Sequence, residues 1–232
     1  SFLLASCIET LTDIDDTIAS ANLEKSVESM DEPGDSCTFS GILSEADIAG
    51  LYEMREEEKL ARDVYTNLYK KYGHIIFNNI SKSENAHTSA VLYLMKGYGL
   101  EDVALPGEGE FSNPLFTDLY KQLTEQGATD LIAALKVGAF IEEYDIADLW
   151  NLLGETENED IKRVYGNLLR GSEFHLRAFT NVLKIQGAVY EPTIISEEQY
   201  QEILTRDNDA EDETDETSFT PPATCDGTGP NS

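Results

Sequence analysis

Phe77-Asn78-Asn79-Ile80-Ser81-Lys82-Ser83-Glu84-Asn85-Ala86-His87-Thr88-Ser89-Ala90-Val91-Leu92-Tyr93-Leu94-Met95-Lys96 is the stretch on which the reading of this chain turns. Phe77, Ile80, Val91, Leu94 and Tyr98 recur at alternating steps of three and four, tracing one face of a helix that stops at Gly97 and Gly99. Inside that apolar seam stand Glu84 and His87, three residues apart and therefore on the same face. Burying an unpaired carboxylate costs several kcal/mol even after relaxation. Something must compensate Glu84, and the flanking sequence supplies candidates.

Three more long helical patterns surround this one. The first opens at Ser44, an N-cap with Asp47 three residues on, and runs to Tyr72 before Gly73. Its seam is Leu51, Met54, Glu58, Ala61, Tyr65, Leu68 and Tyr72. The third spans about Thr129 to Leu153, with Leu131, Leu135, Gly138, Glu142, Asp145, Leu149 and Leu152 on its seam and Gly154 as its stop. The fourth covers about Asn158 to Gln186, with Ile161, Val164, Leu168, Ser172, His175, Phe179 and Val182. Two shorter helices are expected, from about Asn113 to Gln126 and from a Ser196 cap through Leu204. Strand-like alternation is confined to Val189–Ile195. The predicted fold is all-α: an up-down four-helix bundle over residues 44–205 with two short extra helices.

Each long helix thus carries one or two ionisable groups near the middle of its buried stripe. One such intrusion is compatible with a hydrogen-bonded core residue; four at similar heights point to mutual compensation, and a cation is the simplest compensator for clustered carboxylates. Glu84 and His87 can both ligate one ion, as in di-iron and di-manganese carboxylate bundles. The alternative is a buried polar network in which Glu58 pairs with Lys59 or Arg62 and each histidine is a satisfied core residue. Glu143 replaces Glu142 if the third helix is rotated by one residue, and Asp145 can instead pair locally. Glu56 and Glu57 are expected to face solvent. Tyr65 and Tyr93 are candidates for redox or hydrogen-bonding partners of a metal, with core packing as the alternative. His74, following Gly73 at a helix end, is read as structural, and Trp150 as packing.

The segments Glu58-Lys59-Leu60-Ala61-Arg62-Asp63-Val64-Tyr65 and Ser83-Glu84-Asn85-Ala86-His87 resemble the rubrerythrin side of the ferritin-like superfamily. Together with Gly138–Leu149 and Gly171–Phe179, they resemble a microbial ferritin-like family catalogued only as a domain of unknown function, over roughly residues 43–205. That resemblance implies Glu58 as first-helix carboxylate, Glu84 as a bridge, His87 as nitrogen ligand to one ion, Glu142 as third-helix carboxylate and His175 as nitrogen ligand to the second. It also exposes a departure, because Ser172 stands where a glutamate three residues before His175 is usual. Glu173 should face elsewhere, and Asp145 is the candidate for the missing oxygen ligand, as an extra third-helix carboxylate is in rubrerythrins.

The flanks differ in kind. Residues 1–7 end in Leu4-Ala5-Ser6-Cys7, which matches a bacterial lipoprotein signal box and makes Cys7 a lipidation site on that reading. A chance apolar N-terminus is the alternative. Residues 8–43 read as an acidic tether and 206–232 as an acidic flexible tail. Cys37 and Cys225 are then left as an even pair for a disulfide in an oxidising compartment, and an extracytoplasmic, lipid-anchored location is expected.

With 45 acidic against 16 basic residues and a net charge of -29, nucleic acid and anionic lipid surfaces are excluded as partners, apart from the expected anchor. The three cysteines lack metal-finger spacing, so no rubredoxin-like iron centre is expected. A glycine-rich phosphate loop and a nucleophile–histidine arrangement are also missing from the sequence. Oxygen-rich ligands with two imidazoles suit iron, with manganese as the alternative; two ions are expected, or one if Asp145 does not reach. The expected activity is oxidation of Fe(II) by oxygen or peroxide. The alternative is a surface protein whose bundle keeps a metal or a polar network for stability. Oligomeric state stays open, with a homodimer as a candidate.

Overall fold

The computed structural model describes Phe39 and residues 41–206. These form six α-helices, with no strand among the described residues. They are α1 (Glu45–Tyr72), α2 (Ile75–Gly97), α3 (Pro114–Gly127), α4 (Leu131–Glu155), α5 (Glu159–Ile185) and α6 (Glu197–Thr205). The signal box, nearly all of the expected tether, the tail beyond Arg206 and Cys7, Cys37 and Cys225 lie outside the described residues. No described helix is long and apolar enough to cross a membrane.

Local chemistry sets the helix ends. Ser44 and Asp47 form a reciprocal capping box at the start of α1, and Ser196 with Gln199 does the same for α6. Asn113, Asp130 and Asn158 cap α3, α4 and α5 through their side-chain oxygens. Gly73 ends α1 at a φ of 62°, a left-handed conformation that favours glycine. The chain reverses there so sharply that His74 becomes the N-cap of α2, its Nδ1 accepting from the Ile76 amide, rather than a cation closing α1. Gly154 does not stop α4, which continues to Glu155 and is turned by Thr156.

Helices α1 and α2 form one hairpin and α4 and α5 another; α1 packs on α4, and α2 on α5. All four of these pairings are antiparallel. Asp47 at the start of α1 accepts from Thr156 past the end of α4, while Tyr72 donates to Gly127 just before α4 begins. Phe77 of α2 meets Phe179 late in α5, and Tyr98 meets Asn158 at the start of α5. Consequently α2 and α4 are parallel and diagonal, the long helices run up-down-down-up rather than in the expected up-down alternation, and residues 98–130 must run back along the bundle between them. This crossover lies on the outer side of α1. Asp102 binds Arg55 at 2.9 Å, the Gly107 carbonyl accepts from Lys59 at 2.8 Å, and the Gly109 amide donates to Asp63 at 3.0 Å. Ser112 and Asn113 donate their amides to Glu56.

The strap accounts for a correction: Glu56 and Glu57 are not solvated but 3% and 2% exposed. Glu56 is covered by the crossover, and Glu57 turns towards α4. A second correction concerns Val189–Ile195, which is irregular rather than a strand. The buried Glu143 carboxylate takes its amides, accepting from Thr193, Ile194 and Ile195 at 2.6–2.9 Å and from the Tyr190 hydroxyl.

Two apolar clusters fill the bundle. One includes Leu51, Met54, Val91, Leu94, Leu149 and Leu168; the other includes Tyr65, Leu68, Phe77, Leu135 and Phe179. Gly138 lets α4 and α5 close around Phe179, whose ring would lie 2.4 Å from a Cβ at that position. On α1, α2 and α5 the seam carboxylates and histidines fall between the two clusters in sequence, and on α4 they stand near the end of one, before Leu149 of the other, so a polar layer divides the core.

Candidate metal centre

In that layer α1 contributes Glu58, α2 contributes Glu84 and His87, α4 contributes Glu142 and α5 contributes His175, all between 2% and 6% exposed. The two carboxylate oxygens of Glu84 point at different imidazoles: Oε2 lies 2.9 Å from His87 Nδ1 and Oε1 lies 2.8 Å from His175 Nδ1. Glu58 adds an oxygen 3.3 Å from His87 Nδ1, and Glu142 adds one 3.3 Å from His175 Nδ1. Two groups result, Glu58/Glu84/His87 and Glu84/Glu142/His175, each with donor atoms within 4.8 Å of one another and Glu84 common to both. The imidazoles stack at 5.5 Å between centroids.

These contacts are close but badly directed for hydrogen bonds. His87 Nδ1, His175 Nδ1, Glu58 Oε1 and Glu84 Oε1 are buried without a hydrogen-bond partner. Orphaned buried polar atoms are costly, and four converging here form a donor set rather than a satisfied network. Two donors about 2.1 Å from one ion and at right angles to it stand about 3 Å apart, which matches the separations within each group. The residues therefore fit a metal ion on both spacing and chemistry.

Electrostatics carry the same strain. Burial alone would raise the Glu84 carboxyl, but the adjacent His175 and His87 outweigh it and hold it below the usual carboxylate range. Burial opposes charge on His175, yet Glu84 and Glu142 push it up to about 10; His87 is raised likewise by Glu58 and Glu84. Burial pushes Glu58 well above an ordinary carboxyl, with His87 opposing and Asp145 adding to the rise. Glu142 is raised by burial too, against the pull of His175. Without a cation, protons held on the two imidazoles offset part of the carboxylate charge.

The other expected residues divide. Tyr65 lies beside the layer and donates to Glu142, with the Gly138 carbonyl 3.2 Å away; burial and the Glu142 charge keep its phenol protonated. Asp145 joins neither group. Its Oδ2 accepts from the Ser172 hydroxyl while Oδ1 is buried without a partner, and burial pushes it up to about 8. Glu143, the alternative to Glu142, points away to hold the 190–195 segment. Glu173 also points away, to Arg206. Lys59 and Arg62 pair with Asp63 rather than Glu58.

Two neighbours escaped sequence reasoning. Burial and then the charges of Asp148 and Asp145 raise the Glu57 carboxyl well above the ordinary range, and burial with the charges of Glu57 and Asp148 raises the Tyr144 phenol, so a second acidic patch flanks the layer between α1 and α4. The repeats Glu53/Glu57 and Asp145/Asp148, spaced four and three apart, were its only signal. Gly171 abuts His87 so closely that a Cβ there would lie 2.6 Å from ring atoms Cε1 and Nε2.

Fold and site together define an all-helical protein with a buried carboxylate–imidazole cluster able to hold metal. A family profile described as an uncharacterized protein domain, DUF2202, matches residues 47–207, and the chain belongs to that family. It is 52% identical over 164 residues to the uncharacterized protein MJ0754 of Methanocaldococcus jannaschii, covering 70% of this chain and 89% of that one. It is similar also to a crystal structure of the hypothetical protein MJ0754 from Methanococcus jannaschii. That match has a TM-score of 0.72 and 50% identity over 73% of this chain and 97% of the other.

Proposed function

We propose that the protein is a ferritin-like dinuclear metal protein that binds two Fe(II) ions and oxidises them with dioxygen or peroxide. The observation that carries this reading is Glu84, a single carboxylate directed at two imidazoles 2.9 and 2.8 Å away, each with its own further glutamate. The diagonal crossover between α2 and α4 supports the ferritin-like assignment, since one long connection joining two antiparallel hairpins is that class's wiring. Manganese fits the same donors.

When bound, iron would supply one electron per ion in passing from Fe(II) to Fe(III). The remaining work belongs to the chain. Glu58, Glu84 and Glu142 would offset three of the four positive charges, His87 and His175 would hold the ions from α2 and α5, and Tyr65 holds Glu142 in one orientation by hydrogen bonding. The two apolar clusters exclude bulk water. Donors only 2–6% exposed are out of reach of a large organic substrate, which suits a small oxidant.

Protein loaded anaerobically with Fe(II) and then mixed with oxygen or peroxide tests the proposal. Oxidation followed by near-ultraviolet absorbance should outpace both free Fe(II) and a Glu84→Ala/His87→Ala variant. Rates equal to the protein-free background would defeat it. The complete burial of the donors favours one other reading, a metal held for stability. That reading predicts retained metal and a raised melting temperature without turnover.

A further inference from the structure

Ser172 occupies the position on α5, three residues before His175, where paired bundle sites place a glutamate. Without it the two groups hold three carboxylates, Glu58, Glu84 and Glu142, against two divalent cations. A fourth carboxylate would balance the charge. Asp145 is that group by position: it lies one turn beyond Glu142 on α4, is 6% exposed, and keeps Oδ1 buried without a partner.

Two contacts from one step of α5 locate it. Ser172 donates its hydroxyl to Asp145 Oδ2, and the preceding residue, Gly171, is the one against which the His87 ring lies. The 171–172 step thus touches both Asp145 and His87, and beyond burial and the Ser172 hydrogen bond the charges that act on Asp145 are those of Glu142, Glu84 and His87, in that order. The Ser172 hydroxyl is also within 3.0 Å of the Leu168 carbonyl in the preceding turn, which pins its rotamer. Glu58 in turn experiences Asp145 as a neighbouring charge.

We infer that Ser172 is a positioning residue that aims Asp145 at the Glu58/Glu84/His87 position, making the two metal positions unequal. This rests on the dinuclear reading above. The Glu58/Glu84/His87 position then has three oxygen-bearing side chains and fills first. The Glu84/Glu142/His175 position has two and fills second. Exchanging a glutamate on α5 for a serine moves the fourth carboxylate to α4 without burying an additional negative charge beside Asp145.

Manganese titration read by the electron paramagnetic resonance of free Mn(II) tests this on the full chain. Wild type should take up two ions in two resolved steps. Ser172→Ala and Asp145→Asn should each weaken the tighter step about tenfold or more while leaving the weaker step in place. Ser172→Thr, which keeps the hydroxyl, should retain both steps. General loosening of the bundle would instead weaken both steps together, and that result overturns the inference, as do wild-type isotherms for Ser172→Ala and Asp145→Asn. Two equal steps in wild type would overturn the inequality while leaving the dinuclear reading standing. No Mn(II) uptake by wild type would bring down both.

Discussion

Gly171→Ala sets two measurable effects against each other. A Cβ at this position would lie 2.6 Å from His87 Cε1 and Nε2, whereas unstrained carbon contacts lie near 3.5–4.0 Å. The imidazole must move by about 1 Å, and metal sites tolerate only about 0.5 Å of misplacement. Alanine improves helix propensity by roughly 0.5–1 kcal/mol over glycine; overpacking costs about 1–3 kcal/mol. The metal-free variant should therefore be destabilised by no more than about 2.5 kcal/mol in urea denaturation. Affinity should suffer more, because His87 swings away from Glu58 and Glu84: the expected loss is about 100-fold, or roughly 2.7 kcal/mol. Gly166→Ala is the matched control in the same helix, with nothing within 4 Å of its Cβ, and should gain about 0.5–1 kcal/mol with unchanged metal binding. Wild-type Mn(II) affinity in Gly171→Ala would refute the assignment of His87 as a ligand in its present place.

Three further expectations concern neighbouring groups. Tyr65→Phe removes the hydroxyl that donates to Glu142 and should weaken metal binding about tenfold in a chelator competition assay; unchanged affinity would make Tyr65 a packing residue only. Metal loading should expel protons, because His175 is raised to about 10 and His87 is also raised, while a metal takes only the neutral imidazole. Affinity should accordingly climb as pH rises towards about 10, and calorimetric heats should differ between buffers of different ionisation enthalpy; equal heats would contradict this. Glu143→Ala leaves the amides of Thr193, Ile194 and Ile195 and the buried Tyr190 hydroxyl without their acceptor. About 3 kcal/mol of stability should be lost in chemical denaturation with metal stoichiometry intact, and a concurrent loss of metal would tie Glu143 to the site.

The long helices and the inward placement of Glu58, Glu84, His87, Glu142 and His175 were legible because both follow from periodicity within a single helix. A seam residue faces the core whatever packs against it, so its direction needs no knowledge of the partner. The positions that resisted reading depend on what lies across the gap. Glu56 is polar and off the seam, and only the crossover that returns over α1 explains its burial. Glu143 is buried because an irregular segment some fifty residues later brings its amides to it. The run Val189–Ile195 has β-like composition, but a carboxylate, not a neighbouring strand, takes its hydrogen bonds. Gly171 looked like an ordinary helix glycine until His87 from α2 was set beside it. The departure at Ser172 was visible in the sequence, whereas its bond to Asp145 required the registers of α4 and α5.

The central claim is that Glu84 joins two metal positions, and the most direct test is X-ray absorption on protein loaded anaerobically with Fe(II), with iron content measured on the same sample. The account predicts about two irons per chain and an iron–iron scattering vector near 3.5–4 Å, both lost in Glu84→Ala. A single iron per chain with no iron–iron vector, or iron content unchanged by Glu84→Ala, would contradict it.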